Sequence, residues 1–551
     1  MKYFLLANTK LFENFPDAVM ISLIAGISAV LMIFVGYRLL QMLQLTGYKL
    51  RGYNRWFRET KCSYLSRLVM LSFLSVCSIL ITNVLLVDFF VIRPLYYVGA
   101  IFFILFCSLF ITNLFTAKQK TPLKYTKRMT RLVIVYTIIV LALSWALAYV
   151  GYRYVPYLSY GLVAIIPMLL PVVVFLAYFI TYPVEKLISS SYIKKAKKKL
   201  NSKENLLIIG ITGSYGKTSV KNILGTILSE KYKVCATPSS YNTPLGLSKT
   251  ILSNLKDEDE VFIAEMGAKQ RYDIRELCEM VNPEIGMITG IGNQHLLTFG
   301  SVETIAKTKG ELADFISKKG GKLYINTEKE ETKKLAKEYS NCIRIEIDGK
   351  DCDIEACGIK TTKDGSTFEL VYGEQKVKCK TLLLGDHNIS NILLASRVAI
   401  DLGLSLEEIA RGIEKLVTIP HRLEIVKSSS TYTILDDAYN SSVEGSKASL
   451  NVLSKFDGQK FVITPGLVEL GSEQFNSNFE FGRNLAQVCD YVIIDSVINY
   501  DAISSGMIFA GFDENKIIQV GNLKQAVEML STLAKPNDVV LFENDLPDNY
   551  S

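Results

Sequence analysis

The chain has 551 residues, a formal net charge of +7 and a hydrophobic fraction of 49%; that length exceeds one domain and sets an expectation of about three. The apolar residues concentrate before residue 183, with much of the basic excess in short runs beside them, which suits anionic lipid headgroups and excludes nucleic acid as an expected partner. The ten cysteines are scattered without a C-x-x-C pair, and Cys352 and Cys357 lack a second pair, which speaks against zinc and disulfides and for the reduced thiols of a cytosolic compartment.

Five apolar runs, at about residues 18–36, 68–87, 95–115, 132–150 and 158–182, are long enough to span a bilayer. No cleavage-type signal follows the first, so it reads as a retained helix. Arg38, Lys49, Arg51, Arg55, Arg58, Lys61 and Arg67 lie between runs one and two. Lys118, Lys120, Lys124, Lys127, Arg128 and Arg131 lie between runs three and four, and Lys186, Lys194, Lys195, Lys197, Lys198 and Lys199 follow run five. The other two loops carry only Arg93 and Arg153. The positive-inside rule then places the N-terminus outside and everything after residue 182 in the cytosol. Residues 41–57 mix Leu, Tyr, Trp and basic side chains and fit either an interfacial helix or an ordinary solvated loop. Pro167, Pro171 and Pro183 fall in or beside the last run and are expected to kink it. Asp88 sits at an edge, and the runs hold almost no ionisable side chains, so no ion pathway is expected.

The stretch LLIIGITGSYGKTS at 206–219 organises the remainder. A short apolar strand, a turn with Gly213, Ser214 and Gly216, and a helix opened by Lys217, Thr218 and Ser219 are the context of a phosphate-binding loop. The common G-x-x-x-x-G-K-[ST] spacing would put its first glycine at Ile211; Gly210 and Gly213 flank that position instead. In this reading Lys217 reaches the outer phosphates of ATP and the Thr218 hydroxyl sits on Mg2+. Such a loop needs cytosolic nucleotide, in agreement with the orientation from charge.

A strand at 261–264 ends in Glu265, where α/β sheets bind ligands, so Glu265 is a candidate Mg2+ ligand. A second strand at 285–289 leads to His295, one of only three histidines and a candidate metal or phosphate contact. Residues 301–315 read as a helix carrying Lys307 and Lys309, and 343–384 as β-hairpins. Helices at 385–402 and 406–416 follow. Strands at 432–435, 461–464, 491–495, 517–520 and 539–542, separated by helices at 444–455, 479–488 and 523–534, read as a second α/β unit of Rossmann type.

The ordered stretches GITGSYGKTS at 210, TPSSYNTPLG at 237, EMGA at 265, ITGIGNQHLLTFGS at 288, AKTKGEL at 306, GDHNISNILLA at 385, PHRLE at 420 and DDAYNSS at 436 resemble the Mur ligase family. The resemblance covers about residues 203–551. It implies an α/β P-loop central domain over 201–418 and an α/β Rossmann-like C-terminal domain over 419–551; the apolar runs ahead of them read as an α-helical membrane domain of about five transmembrane helices with a basic linker over 1–200. It implies an ATP-dependent acid–amine ligase that forms an amide through an acyl phosphate. Glu265 and His295 would then bind magnesium, and Lys309 would occupy the place of the family's carbamylated lysine, bridging to a second Mg2+, with Lys307 as the competitor. Asn388 and Asn391 would contact adenine or ribose, and Arg422 and Asp437 phosphate and ribose. The catalytic set would be Lys217, Lys309 and His295.

Two features depart from the family. Apolar spans stand where its UDP-sugar-binding domain is expected, and ENDLPDNYS stands where a lysine-bearing glycine motif is expected. The expected protein is therefore a membrane-anchored ligase of a bacterial-type cell membrane, joining an amine to a carboxylate-bearing, in one version lipid-linked, envelope precursor of peptidoglycan type. The alternatives are a transporter or sensor that uses the ligase-like part as an ATP-driven switch, and the family's D-alanyl-D-alanine-adding enzyme acting on a soluble UDP-muramoyl peptide.

Overall fold

The computed structural model describes residues 17–59, 62–82, 96–116, 122–154, 162–238, 241–292, 296–347, 352–362, 364–426, 432–438, 442–468 and 470–544. Lys61, Asp88, Arg93, Lys118, Lys120 and His295 lie outside the described residues, as does the side chain of Arg153. Two compact units divide the chain at residues 188 and 189.

The first unit is helical: α1 (Asp17–Val35), α2 (Tyr37–Leu45), α3 (Leu50–Glu59), α4 (Ser63–Ile81), α5 (Tyr96–Thr116), α6 (Lys127–Tyr154) and the start of α7 (Ile166–Asn201). Helices fall on all five apolar runs. Four stretches, Ala25–Leu45, Ser63–Ile81, Lys127–Gly151 and Ile166–Asn201, are long and apolar enough to cross a membrane, while Ile101–Thr116 is a shorter apolar helix. The expectation of five spans is thus met by four on length and composition. Residues 41–57 are not a solvated loop. Leu39, Leu40, Met42 and Leu43 of α2 and Tyr53 and Trp56 of α3 are buried, because these short helices turn an apolar face inward.

Gly36 divides α1 from α2, and the last α1 carbonyls find side-chain donors there. Tyr136 Oη donates to Met32 O at 2.8 Å and Tyr64 Oη to Val35 O at 2.7 Å, as buried helix ends require. At the other end of this layer Arg131 grips Glu185 with Nε at 2.6 Å and Nη2 at 3.0 Å. α7 contains Pro171 and Pro183 yet continues to Asn201. The run expected to end at residue 182 therefore continues without a break into the linker, itself expected to be helical over 185–204.

The second unit opens with β1 (Leu207–Thr212), α8 (Lys217–Leu228), β2 (Val234–Ala236), α9 (Pro244–Ser253), β3 (Val261–Glu265), α10 (Asp273–Val281), β4 (Ile285–Ile288), α11 (Leu296–Phe299), α12 (Val302–Lys318), β5 (Lys322–Asn326), α13 (Glu330–Lys337) and β6 (Cys342–Ile345). The six strands form a parallel sheet in the order β2-β3-β1-β4-β5-β6. An antiparallel sheet of β7 (Ile354–Thr362), β8 (Gly365–Tyr372) and β9 (Gln375–Thr381) follows, then α14 (Asp386–Asp401) and α15 (Leu406–Glu414). The hairpin reading holds from Ile354, but residues 343–345 belong to β6 of the parallel sheet. Pairing decides this: β6 is the edge strand and runs parallel to β5.

The last part contains β10 (Glu424–Val426), β11 (Thr433–Asp437), α16 (Val443–Ser454), β12 (Lys460–Thr464), α17 (Gln474–Val488), β13 (Tyr491–Ile494), α18 (Val497–Phe509), β14 (Ile517–Gln519), α19 (Leu523–Leu533) and β15 (Val539–Glu543). Its sheet runs β10-β11-β15-β12-β13-β14, with only the β10–β11 pair antiparallel.

Two glycines set the seat of α12. Gly210 on β1 and Gly286 on β4 are register partners. A Cβ on Gly210 would come within 3.2 Å of Leu312 Cδ1, and one on Gly286 within 2.8 Å of Ile316 Cγ1. The bare backbone makes a hollow for α12, which also carries Lys309 on the face of Leu312. Gly286→Val is expected to cost about 1–3 kcal/mol of stability by overpacking, read as a lower unfolding temperature of the full-length protein in detergent. An unchanged transition would show that α12 does not need the hollow.

Candidate active site

The turn after β1 is stapled to the chain that follows β4. Ser214 N–H donates to Gly290 O at 2.7 Å, Gly292 N–H donates to Ser214 Oγ at 3.2 Å, and the Thr289 hydroxyl donates to Tyr215 O. A Cβ at Gly213 would strike Thr289 Oγ1. Gly216 has φ +77°, a left-handed backbone that favours glycine, and forms the N-cap of α8 without a side-chain bond to its first N–H groups. Those N–H groups therefore face the turn, the arrangement that binds anions.

Lys217, at the first position of α8, folds back on the turn: its Nζ donates to Gly213 O at 2.7 Å and Ser214 O at 2.9 Å. Burial lowers its pKa to about 8, Glu265 pulls it up, and Arg422 lowers it further. Thr218 Oγ1 donates to Glu265 Oε1 at 3.2 Å. Asn242 Nδ2 donates to the same oxygen at 3.2 Å, and Lys221 Nζ donates to Oε2 at 3.2 Å. The Glu265 N–H is held by Thr237 Oγ1 at 3.2 Å. Glu265 thus stands at the end of β3, buried and oriented from three sides.

Lys309 is buried, 3% exposed, whereas Lys307 faces solvent. Burial drives the Lys309 pKa well below the usual lysine range, with the charge of Lys217 adding to the effect. On α14, Asn391 Oδ1 lies against Gly216, 3.1 Å from where a Cβ would stand. Asn388 donates through Nδ2 to Leu384 O at 2.9 Å. Ser219, Lys221, Asn222, Asn388, Pro420 and Arg422 line one cavity of about 450 Å³ beside α8. Arg422 is close enough for its charge to bear on Lys217, Lys221 and Asp437. Desolvation raises the Asp437 carboxyl to about 7 against the pull of Arg422. His387, near the start of α14, is instead exposed to solvent.

Of the sequence's candidates His295 lies outside the described residues and Lys307 faces solvent, while Lys217, Thr218, Glu265, Asn388, Asn391 and Arg422 lie at the turn or the cavity. Lys221, Asn242, Thr237 and Thr289 belong to the same constellation and escaped notice. Lys221 had a signal, since it lies four residues after Lys217 and so on the same helix face.

A parallel α/β sheet with an anion-binding turn, a buried strand-end carboxylate and a second α/β layer supplying Arg422 defines a nucleotide-dependent enzyme of P-loop type. The family model of the Mur ligase middle domain matches residues 211–399, and that of the Mur ligase glutamate ligase domain residues 421–543. The UDP-N-acetylmuramoyl-tripeptide--D-alanyl-D-alanine ligase of Haemophilus influenzae is 30% identical over 56% of this chain and 68% of its own length. The Bacillus subtilis protein of that name is 27% identical over 61% and 72%. Among solved structures, MurF ligase from Thermotoga maritima in complex with ADP has 27% identity and a TM-score of 0.59, covering 65% of this chain and 80% of that one. The chain belongs to the Mur ligase family, and is an ATP-dependent C–N ligase related to MurF.

The depressed Lys217 pKa has a measurable consequence. Phosphate at the turn favours the charged amine, so nucleotide binding above about pH 8 must carry proton uptake, while below it Lys217 is already protonated. Calorimetry of ATP binding at pH 9 in buffers of different ionisation enthalpy is expected to show uptake approaching one proton, and at pH 7 none from this group. Equal uptake at both values would separate Lys217 from the nucleotide.

Proposed function

We propose that this protein is a membrane-anchored acid–amine ligase that activates a carboxylate as an acyl phosphate and joins it to an amine, acting on a cell-envelope precursor. The observation that carries the reading is the gathering of Lys217, Glu265, Lys309, Asn391 and Arg422 around one anion-binding turn, in a chain that also carries four helices able to cross a membrane. The ligase part lies on the cytosolic side, where the basic loops between the spans would be retained.

In this mechanism the turn's N–H groups and Lys217 hold the terminal phosphates of ATP. Lys217 exchanges the carbonyls of Gly213 and Ser214 for phosphate oxygens. The substrate carboxylate attacks the γ-phosphorus, a C–O–P link forms and ADP leaves. The amine then attacks the acyl carbon, the amide forms and phosphate departs. Asn388 and Asn391 orient the nucleoside, and Arg422 and Asp437 meet it from the C-terminal layer.

The hard oxygen donors Thr218 Oγ1 and Glu265, 3.2 Å apart, fit Mg2+. Thr218, Glu265, His295 and Lys309, the last as a carbamate, would hold two such ions, which neutralise the charge of the transferring phosphoryl group when bound. Carbamylation requires a neutral amine, the state that burial beside Lys217 favours for Lys309.

The acceptor is proposed to be lipid-linked, with the helical unit serving in place of a soluble sugar-binding domain. Arg131 is already committed to Glu185, so Lys124 and Lys127 are the better headgroup contacts of that loop.

Full-length protein in detergent, given ATP, UDP-muramoyl-tripeptide and D-alanyl-D-alanine, is expected to form ADP only when an acid and an amine are both present. ADP formation at an undiminished rate with neither would favour an ATP-driven switch. A lipid-linked acceptor is expected to be used at lower concentration than its soluble counterpart. In carbon dioxide-depleted buffer, added bicarbonate is expected to raise the rate of the wild type and leave Lys309→Ala unaffected; no stimulation would remove the carbamate from the mechanism.

A further inference from the structure

The side chain of Lys221 has no part in the reading above, yet it is 1% exposed and forms an ion pair with Glu265, likewise 1% exposed. The helix explains the placement. Lys217 and Lys221 lie one turn apart on α8, on the face turned to β3. Lys217 reaches back to the turn, and Lys221 reaches across to Oε2 of the carboxylate at 3.2 Å.

The two oxygens of Glu265 are served differently. Oε1 receives the neutral donors Thr218 and Asn242, while Oε2 receives the cation. An ionised carboxylate buried without a counter-charge is costly. It would also repel a triphosphate entering the turn a few ångströms away.

We propose that Lys221 is the resident counter-charge of Glu265. It offsets the carboxylate's charge and holds the side chain in place, and so sets how strongly nucleotide binding depends on Mg2+. Lys221 is thus a positioning residue, acting through Glu265 rather than on the substrate. The proposal rests on the reading of Glu265 as a magnesium ligand only in its second half; the first half concerns anion binding alone.

Two arms follow from the sign of the charge. Without metal, loss of Lys221 leaves one uncompensated negative charge facing the nucleotide, so affinity falls. With Mg2+, the same exposed carboxylate attracts the ion more strongly, so the metal restores more than it does in the wild type. A residue that merely filled space would weaken both arms alike.

The experiment measures dissociation constants of trinitrophenyl-ATP for the purified full-length protein in detergent, in EDTA and in excess Mg2+. The ratio of the EDTA value to the Mg2+ value is expected to rise on the order of tenfold in Lys221→Met, and to return toward wild type in Lys221→Arg. An unchanged or smaller ratio in Lys221→Met overturns the proposal. If the wild type binds the probe without any response to Mg2+, the metal reading of Glu265 fails; weaker binding of Lys221→Met in EDTA still supports the counter-charge, and unchanged binding overturns it. Should Lys221→Met not fold, the double variant Lys221→Met/Glu265→Gln removes both charges. Recovery of folding supports a charge role, and continued failure assigns the pair to packing and overturns it.

Discussion

The carboxylate of Glu265 is the constraint on which the ligase unit turns. A buried anion must be compensated, and each neighbour of the site does so in its own way. α8 brings a hydroxyl and an ammonium group to it, the loop before α9 brings an amide, and the end of β2 fixes its backbone. The helix that begins the phosphate turn and the strand beside it are thereby tied through their polar groups as well as through the sheet. Moving β3 by one register position would point this side chain to the other face of the sheet. The parallel pairing Ile211↔Glu265 consequently matters more than any single contact.

The opposite side of the turn is governed by size rather than charge. β4 lies next to β1, across from β3. There Thr289, Gly290 and Gly292 make close backbone contacts with the turn, and Gly210 and Gly286 give up side chains so that α12 can approach. One consequence is electrostatic. Close packing of α12 takes Lys309 out of water, and that desolvation, with the charge of Lys217 adding to it, lowers its pKa.

Much of this was legible in the sequence because it is local. The turn, the strand-end carboxylate and the helix carrying Lys309 are each written in fewer than about twenty consecutive residues, and glycine or apolar spacing announces them. What escaped was carried by contacts between distant segments. Lys221 reads as an ordinary helix lysine until β3 places Glu265 opposite it. α18, VINYDAISSGMIF, lacks a strong 3.6-residue pattern and went unread, because it packs on α17 through glycines: Gly482 lies on the Ile503 carbonyl and Gly506 on the Phe479 carbonyl. The strand at 342–345 was taken into the hairpins because alternation alone cannot tell a parallel edge strand from an antiparallel one. In the helical unit, hydropathy located the apolar runs, but the short helices α2 and α3 combine basic residues with buried aromatics, and only packing settles which face wins.

The division of the chain also separates chemistry from selection. Activating a carboxylate with ATP requires a cradle for phosphates, a counter-charge for the transferring group and a second layer to meet the nucleoside. All of these lie between Gly210 and Asp437, within the matched Mur ligase domains. The far end of an acceptor can be changed without altering the reacting atoms, provided that something else supplies the binding energy that orients it. In this chain the residues before the ligase domains are apolar helices whose polar contacts, such as Arg131 on Glu185 and Tyr136 on Met32, stay within their own unit. If the acceptor is lipid-linked as proposed, a helical unit of that kind would keep it in the plane of a membrane, where confinement itself raises its effective concentration.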